Sequence, residues 1–152
     1  MEIALGFYIS EIPLFDSLTP EQSKTLEKFL IYKELLPNSI LYKEGTHGSS
    51  VCFVVEGKVQ VLKQNSAGHE VIIATLSNGQ AVGEMAIIDG LTRSATVKSL
   101  TKAKVLILKR EDFEKVINED PQVGIKVLKA LARSMSITLR DRSEDLARLM
   151  LG

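Results

Sequence analysis

The sequence holds one cysteine, no tryptophan, four prolines and no long uninterrupted apolar stretch. Each scarcity removes a class of protein. Cys52 has no second cysteine with which to close an internal disulfide, and it lies in the apolar run Val51-Cys-Phe-Val-Val55, where it reads as a small buried hydrophobe. The two histidines, His47 and His69, fall in separate glycine-containing turns with no partner at metal-ligand spacing, so no metal site is expected. Without a long apolar run there is no candidate transmembrane helix. The N-terminal MEIALGFYISEIPLF has an early acid and no basic region, unlike a secretory signal. No serine sits in a Gly-x-Ser-x-Gly elbow, so no catalytic residue is assigned. Charge of one sign is also missing. Lys+Arg and Asp+Glu are 19 each, whereas a chain built to grip nucleic acid carries a basic excess. The local cluster Lys102, Lys104, Lys109 and Arg110 reads as a solvated strand face. These exclusions point to a soluble, cytoplasmic, non-enzymatic domain.

What is present suits one domain over 1–152, in three zones. Residues 1–34 form a helical segment. Within it Thr19 reads as an N-cap, Pro20 as the first helical position and Gln22 as the closing member of a capping box, with Leu26, Phe29 and Leu30 as the apolar stripe. From 35 to 109 the pattern changes to short apolar runs, at 39–42, 51–55, 58–62, 70–74, 94–97 and 103–108, cut by glycine-bearing turns. Many short strands at this spacing predict a double-stranded β-helix, or jelly-roll, barrel flanked by helices. Residues 110–152 are helical again. A short amphipathic piece spans 110–117, then Asp120 caps and Pro121 opens a long helix.

One stretch breaks the strand alternation: VGEMAIIDGLTRSATV, residues 82–97. Gly83 permits a tight backbone entry, and residues 84–88 can form a helical turn whose first N–H groups are unpaired and partially positive. That favours an anion. Arg93 adds a full charge and a planar fork suited to phosphate oxygens, Ser94 adds a hydroxyl, and Ala95 leaves space. Glu84 would repel a phosphate, so it makes sense as an acceptor for a neighbouring sugar hydroxyl. Together these groups suit a ribose phosphate. The bland alternative is an internal Glu84–Arg93 ion pair bracing a barrel.

The run Gly83-Glu84-Met85-Ala86 followed by Arg93-Ser94-Ala95 resembles the phosphate-binding cassette of the cyclic nucleotide-binding domain family. That family includes catabolite activator proteins and regulatory subunits of cyclic-AMP-dependent protein kinase. Ile12-Pro-Leu-Phe15 with Leu18, Tyr42-Lys-Glu-Gly45 and Phe53-Val-Val-Glu-Gly-Lys-Val59 extend the likeness over nearly the whole chain. The resemblance implies that Glu84 takes the ribose 2′-hydroxyl and Arg93 the exocyclic phosphate oxygens. Backbone amides at Glu84 and Ala86 and the Ser94 hydroxyl or amide would complete the anion shell. Val71, Ile73, Val82 and Val97 would form an apolar wall. Val82 stands where the family often has Phe, and Met85 replaces a common Leu. The implied ligand is cyclic AMP or cyclic GMP, with cyclic AMP favoured, and no further cofactor.

The last helix carries a seam: Leu128, Ala132, Met135, Leu139, Arg142, Leu146 and Leu149, at alternating spacings of four and three, with Arg142 the polar interruption. Such a seam predicts a homodimer, with Val123, Val127 and Ile137 left to pack on the body of the domain. In catabolite activators the aligned position is a Thr-Ser pair that meets adenine. Here it is Thr138-Leu139, so only Thr138 could reach the base. Family transcription factors continue into a helix-turn-helix domain, whereas this sequence ends at Gly152, as a stand-alone sensor or as a piece of a longer chain. The rival to a sensor is a dimeric interaction adaptor with a vestigial pocket; a phosphodiesterase is a distant third. The downstream partner is not legible.

Overall fold

The computed structural model describes residues 5–151. Helix α1 (Leu5–Ser10), a 3-10 turn (Pro13–Phe15) and helix α2 (Pro20–Glu27) lead into eight strands: β1 (Leu30–Leu35), β2 (Ile40–Tyr42), β3 (Ser50–Glu56), β4 (Val59–Gln64), β5 (Glu70–Leu76), β6 (Ala81–Val82), β7 (Thr96–Ser99) and β8 (Ala103–Lys109). Helix α3 (Glu84–Asp89) interrupts the strands between β6 and β7. Helices α4 (Arg110–Glu119) and α5 (Pro121–Leu151) complete the described chain.

All pairings are antiparallel, in two four-stranded sheets of order β1-β8-β3-β6 and β2-β7-β4-β5. This is the expected jelly roll, with one qualification. Among the described residues no strand of one sheet pairs with a strand of the other, so the layers face each other without closing into a barrel.

Strand β3 shows why the layers stack as they do. Val51 to Val55 are all buried, because both faces of this strand are covered. Val51, Phe53 and Val55 point into a core shared with Ile12, Phe15, Leu26, Phe113, Val116, Val123, Val127 and Leu131 of the helical layer. Cys52 and Val54 point the other way, into a second core between the sheets with Val59, Val82, Val97 and Val105. Burying each such side chain contributes ~1.5–3 kcal/mol. Cys52 is fully enclosed, as its apolar run implies, and burial pushes its thiol up to about 12.

The local start signals hold. Thr19 Oγ1 accepts from the Gln22 N–H at 3.2 Å while Gln22 Oε1 accepts from the Thr19 N–H at 3.0 Å, and α2 begins at Pro20. Asp120 Oδ1 accepts from the Val123 N–H at 3.3 Å, and α5 begins at Pro121.

Other expectations need correction. Helix α2 stops at Glu27, and Leu30, read as the end of its stripe, opens strand β1. Pairing with β8 from Leu30↔Leu108 to Leu35↔Ala103 overrides the helix-compatible sequence Ile31-Tyr-Lys-Glu34. The two-residue β6 is too short to signal itself by periodicity. Ile137, expected against the body, is 55% exposed, because α5 leaves the core after Leu131.

Candidate functional site

The stretch that broke the strand pattern is a compact turn of structure. Strand β6 ends at Val82, Gly83 turns the chain with φ of 88°, and α3 starts at Glu84. Beyond α3 the chain runs beside the loop that precedes β3. The Arg93 N–H donates to Thr46 O at 2.7 Å, the Gly45 N–H to Arg93 O at 2.8 Å, and the Gly48 N–H to Leu91 O at 3.2 Å. These bonds pin the Arg93 backbone on both sides.

The Arg93 side chain then folds inward and is only 7% exposed. Its guanidinium carbon lies 3.5 Å from the centroid of the Tyr42 ring, a cation–π contact. Nη2 donates to Ser50 O at 2.8 Å, and Nη1 to Gly83 O at 3.3 Å. Tyr42 is fixed in turn by a 2.8 Å hydrogen bond between its hydroxyl and Ser50 Oγ, and burial pushes its phenol up to about 12. Two glycines leave the space for this packing. A Cβ at Gly83 would stand 2.6 Å from Arg93 Nη1, and one at Gly48 would collide with Ala86 Cβ and come within 3.0 Å of Arg93 Nε.

Glu84 is equally buried but does not neutralise Arg93. Among the described residues no carboxylate pairs with the Arg93 guanidinium, so the internal ion pair considered from sequence is not formed. Glu84 Oε2 instead accepts from Ser134 Oγ of α5 at 2.8 Å. Burial raises the pKa of this carboxyl above the usual range, opposed by its own backbone N–H and by Ser134.

These groups face a cavity of about 740 Å³. Val82, Gly83, Glu84, Met85, Ala86, Arg93, Ser94 and Ala95 all line it, with Ile73 and Val97 from the strands and Thr138 from α5. Val71 does not. It is 46% exposed near the tip of the β4–β5 hairpin, where its cross-strand partner Lys63 is exposed too. Reading the sequence missed Tyr42, Lys63, Ser134 and the cavity role of Arg142. The interrupted heptad was the one available signal for Arg142. Its Nη1 donates to Ile73 O at 2.6 Å and lies 3.4 Å from Asp145 Oδ2, while its Nε is buried without a partner among the described residues. Thus α5 is tied to α3 at Ser134 and to β5 at Arg142, with the cavity between. A second cavity of about 610 Å³, by His47 and Arg110, mixes both charge signs at the surface.

The burial of Glu84 has a consequence for stability. A carboxyl whose pKa is raised by folding contributes most below its unfolded pKa, and that contribution is lost as pH rises through the folded value. Glu84→Gln removes this loss and keeps an acceptor for Ser134. Its melting temperature without nucleotide should therefore exceed that of the wild type at pH 7, by ~2–4 °C for each kcal/mol recovered. The gap should narrow as the pH falls toward the ordinary glutamate value of about 4.3. Thermal melts across that range check it, and a mutant less stable at neutral pH contradicts the account.

Comparison with known proteins gives the geometry its relatives. The family model described as cyclic nucleotide-binding domain matches residues 32–120. The cAMP-dependent protein kinase regulatory subunit of Yarrowia lipolytica is 29% identical over 110 residues, 72% of this chain and 28% of that protein. The cAMP-activated global transcriptional regulator CRP of Salmonella typhimurium is 28% identical over 123 residues, 78% of this chain and 59% of that protein. The chain therefore spans less than two thirds of these curated relatives. A cyclic nucleotide-binding domain from Methylobacillus flagellatus superposes with a TM-score of 0.87 at 25% identity, over 96% of this chain and 82% of that one. The catabolite activator protein of Thermus thermophilus gives 0.78 at 28% identity, over 91% and 63%. The chain belongs to the cyclic nucleotide-binding domain family.

Proposed function

We propose that this chain is a cytoplasmic, non-enzymatic regulatory module that binds a cyclic nucleotide, cyclic AMP in preference to cyclic GMP, and passes the signal to α5. The observation that carries the reading is Arg93, a buried guanidinium at the cavity wall with no carboxylate beside it among the described residues. A buried cation without a counter-charge is unfavourable, and an anion in the cavity relieves it. The remaining N–H groups of its fork suit the exocyclic oxygens of a cyclic phosphate. The Ser94 hydroxyl and the backbone N–H groups of Glu84 and Ala86 would complete the anion shell. Glu84 would accept the ribose 2′-hydroxyl, and Ile73, Val82 and Val97 would face sugar and base. The cavity lies within the ~300–1,000 Å³ range of small-molecule sites. Thr138 lines its α5 side and offers a hydroxyl acceptor to the 6-amino group of adenine, which supports cyclic AMP.

The same reading includes a homodimer. Leu139 is 69% exposed, Leu146 58% and Leu149 79%, all on the seam. An apolar row of this length is costly to leave in water and is matched by the same row on a second copy, as a parallel two-helix contact. Binding would order or reorient α5, and the free surface of the dimer would be what a downstream protein reads.

Calorimetry of the purified chain with cyclic AMP, cyclic GMP and AMP tests the ligand. Binding of cyclic AMP ahead of the others is expected. Arg93→Ala should weaken it by about 10- to 100-fold, the loss of a charge-assisted hydrogen bond of ~1.5–3 kcal/mol. Unchanged affinity in a folded Arg93→Ala protein overturns the assignment.

Sedimentation tests the dimer. Leu139→Asp places a carboxylate in the seam without a counter-charge and should convert a dimer to a folded monomer. A wild type that is monomeric at micromolar concentration, with or without nucleotide, refutes the contact.

A further inference from the structure

Serine inside a helix commonly turns its hydroxyl back to the carbonyl four residues earlier. Ser143 of α5 does this, donating to Leu139 O at 2.9 Å. Ser134 does not. Its Oγ leaves the helix and donates to Glu84 Oε2 at 2.8 Å, across fifty residues of sequence. The turn that carries it is immobilised, since Leu131, three residues earlier, is fully buried in the core shared with β3 and α4. Thr138, four residues later on the same face, lines the cavity beside Met135. Helix α5 therefore presents one hydroxyl to the carboxylate of the cassette and a second to the far part of the same cavity.

We propose that Ser134 is a positioning residue: its hydroxyl holds the Glu84 carboxylate in the orientation that receives the ribose 2′-hydroxyl, so that recognition of ribose depends on where α5 lies. The inference rests on the cyclic-nucleotide reading above. An ionised carboxylate accepts through both oxygens, so with Ser134 on Oε2 the other oxygen can meet the ligand. The donor also favours the charged form, because burial raises the pKa of the group and Ser134 opposes that rise. A neutral or rotated carboxyl is a poorer acceptor for a sugar hydroxyl. The dependence is reciprocal. A ligand that engages Glu84 favours the placement of α5 in which Ser134 reaches it, and a displacement of α5 weakens the grip on ribose.

The test is calorimetry of the full chain, as wild type, Ser134→Ala and Ser134→Thr, with cyclic AMP and 2′-deoxy cyclic AMP. The wild type should prefer the ribose form. Ser134→Ala should lose about 2- to 10-fold in affinity for cyclic AMP, the contribution of one hydrogen bond of ~0.5–1.5 kcal/mol, with little change for the 2′-deoxy ligand. The preference thus shrinks, and Ser134→Thr, which keeps the hydroxyl, should restore it. A role in helix packing alone would weaken both ligands equally; that result, or loss of preference in Ser134→Thr as well, overturns the proposal. A wild type that binds both ligands equally overturns it while leaving cyclic-nucleotide binding intact. A wild type that binds neither removes the underlying reading, and the role of Ser134 with it.

Discussion

The guanidinium of Arg93 is held almost wholly out of water, beside no carboxylate among the described residues, and much of the surrounding chain packs to hold it there. Its charge is met by a π face and by backbone carbonyls, which orient the group without cancelling it. An ion pair with Glu84 would have satisfied both residues and closed the cavity to anions. The structure instead gives Glu84 a hydroxyl partner and leaves Arg93 with carbonyls, so the two side chains share one cavity wall without pairing with each other.

Holding such a group demands rigid surroundings, and the doubly covered sheet supplies them. Ser50, which accepts from Nη2, opens strand β3, whose next five residues are buried on both faces. Tyr42 ends β2 in the opposite sheet, so the arginine is gripped between the two layers. Gly48 and Gly83 are the sites of closest approach, where any side chain would strike the arginine or its neighbours. Position 83 has a second requirement, since its left-handed conformation is one that other residues rarely adopt.

Features written within a few residues were legible in the sequence. The Thr19–Gln22 box, the Asp120-Pro121 start, the glycine entry at 83 and the cassette from Glu84 to Ala95 are local, and each stands where the sequence places it. Features made by distant partners were not. Leu30 to Leu35 contains Lys and Glu beside apolar residues and continues a helical stripe; only β8 makes it a strand. Tyr42 stands in a stretch that carries the family likeness, but nothing in the sequence sets it or Ser50 against Arg93; the fold does. Val71 and Ile73 stand two residues apart on β5, yet the β4–β5 register shifts between Leu62 and Val61, and only Ile73 lines the cavity.

Arg142 shows how one residue can obey two patterns. In the heptad it is a defect, a charge in a row of leucines. In the fold it is the point where α5 reaches β5, the last strand of its sheet, donating to the carbonyl of Ile73, which the shifted β4–β5 register leaves without a cross-strand partner. The same bond fixes the rotation of α5 about its axis. With Arg142 on β5 and Ser134 on α3, the intervening residues Met135, Thr138 and Leu139 are turned toward the cavity. Leu146 and Leu149, beyond the second tie, extend the apolar row into solvent. The helix that borders the cavity is thus the helix that carries the exposed apolar row.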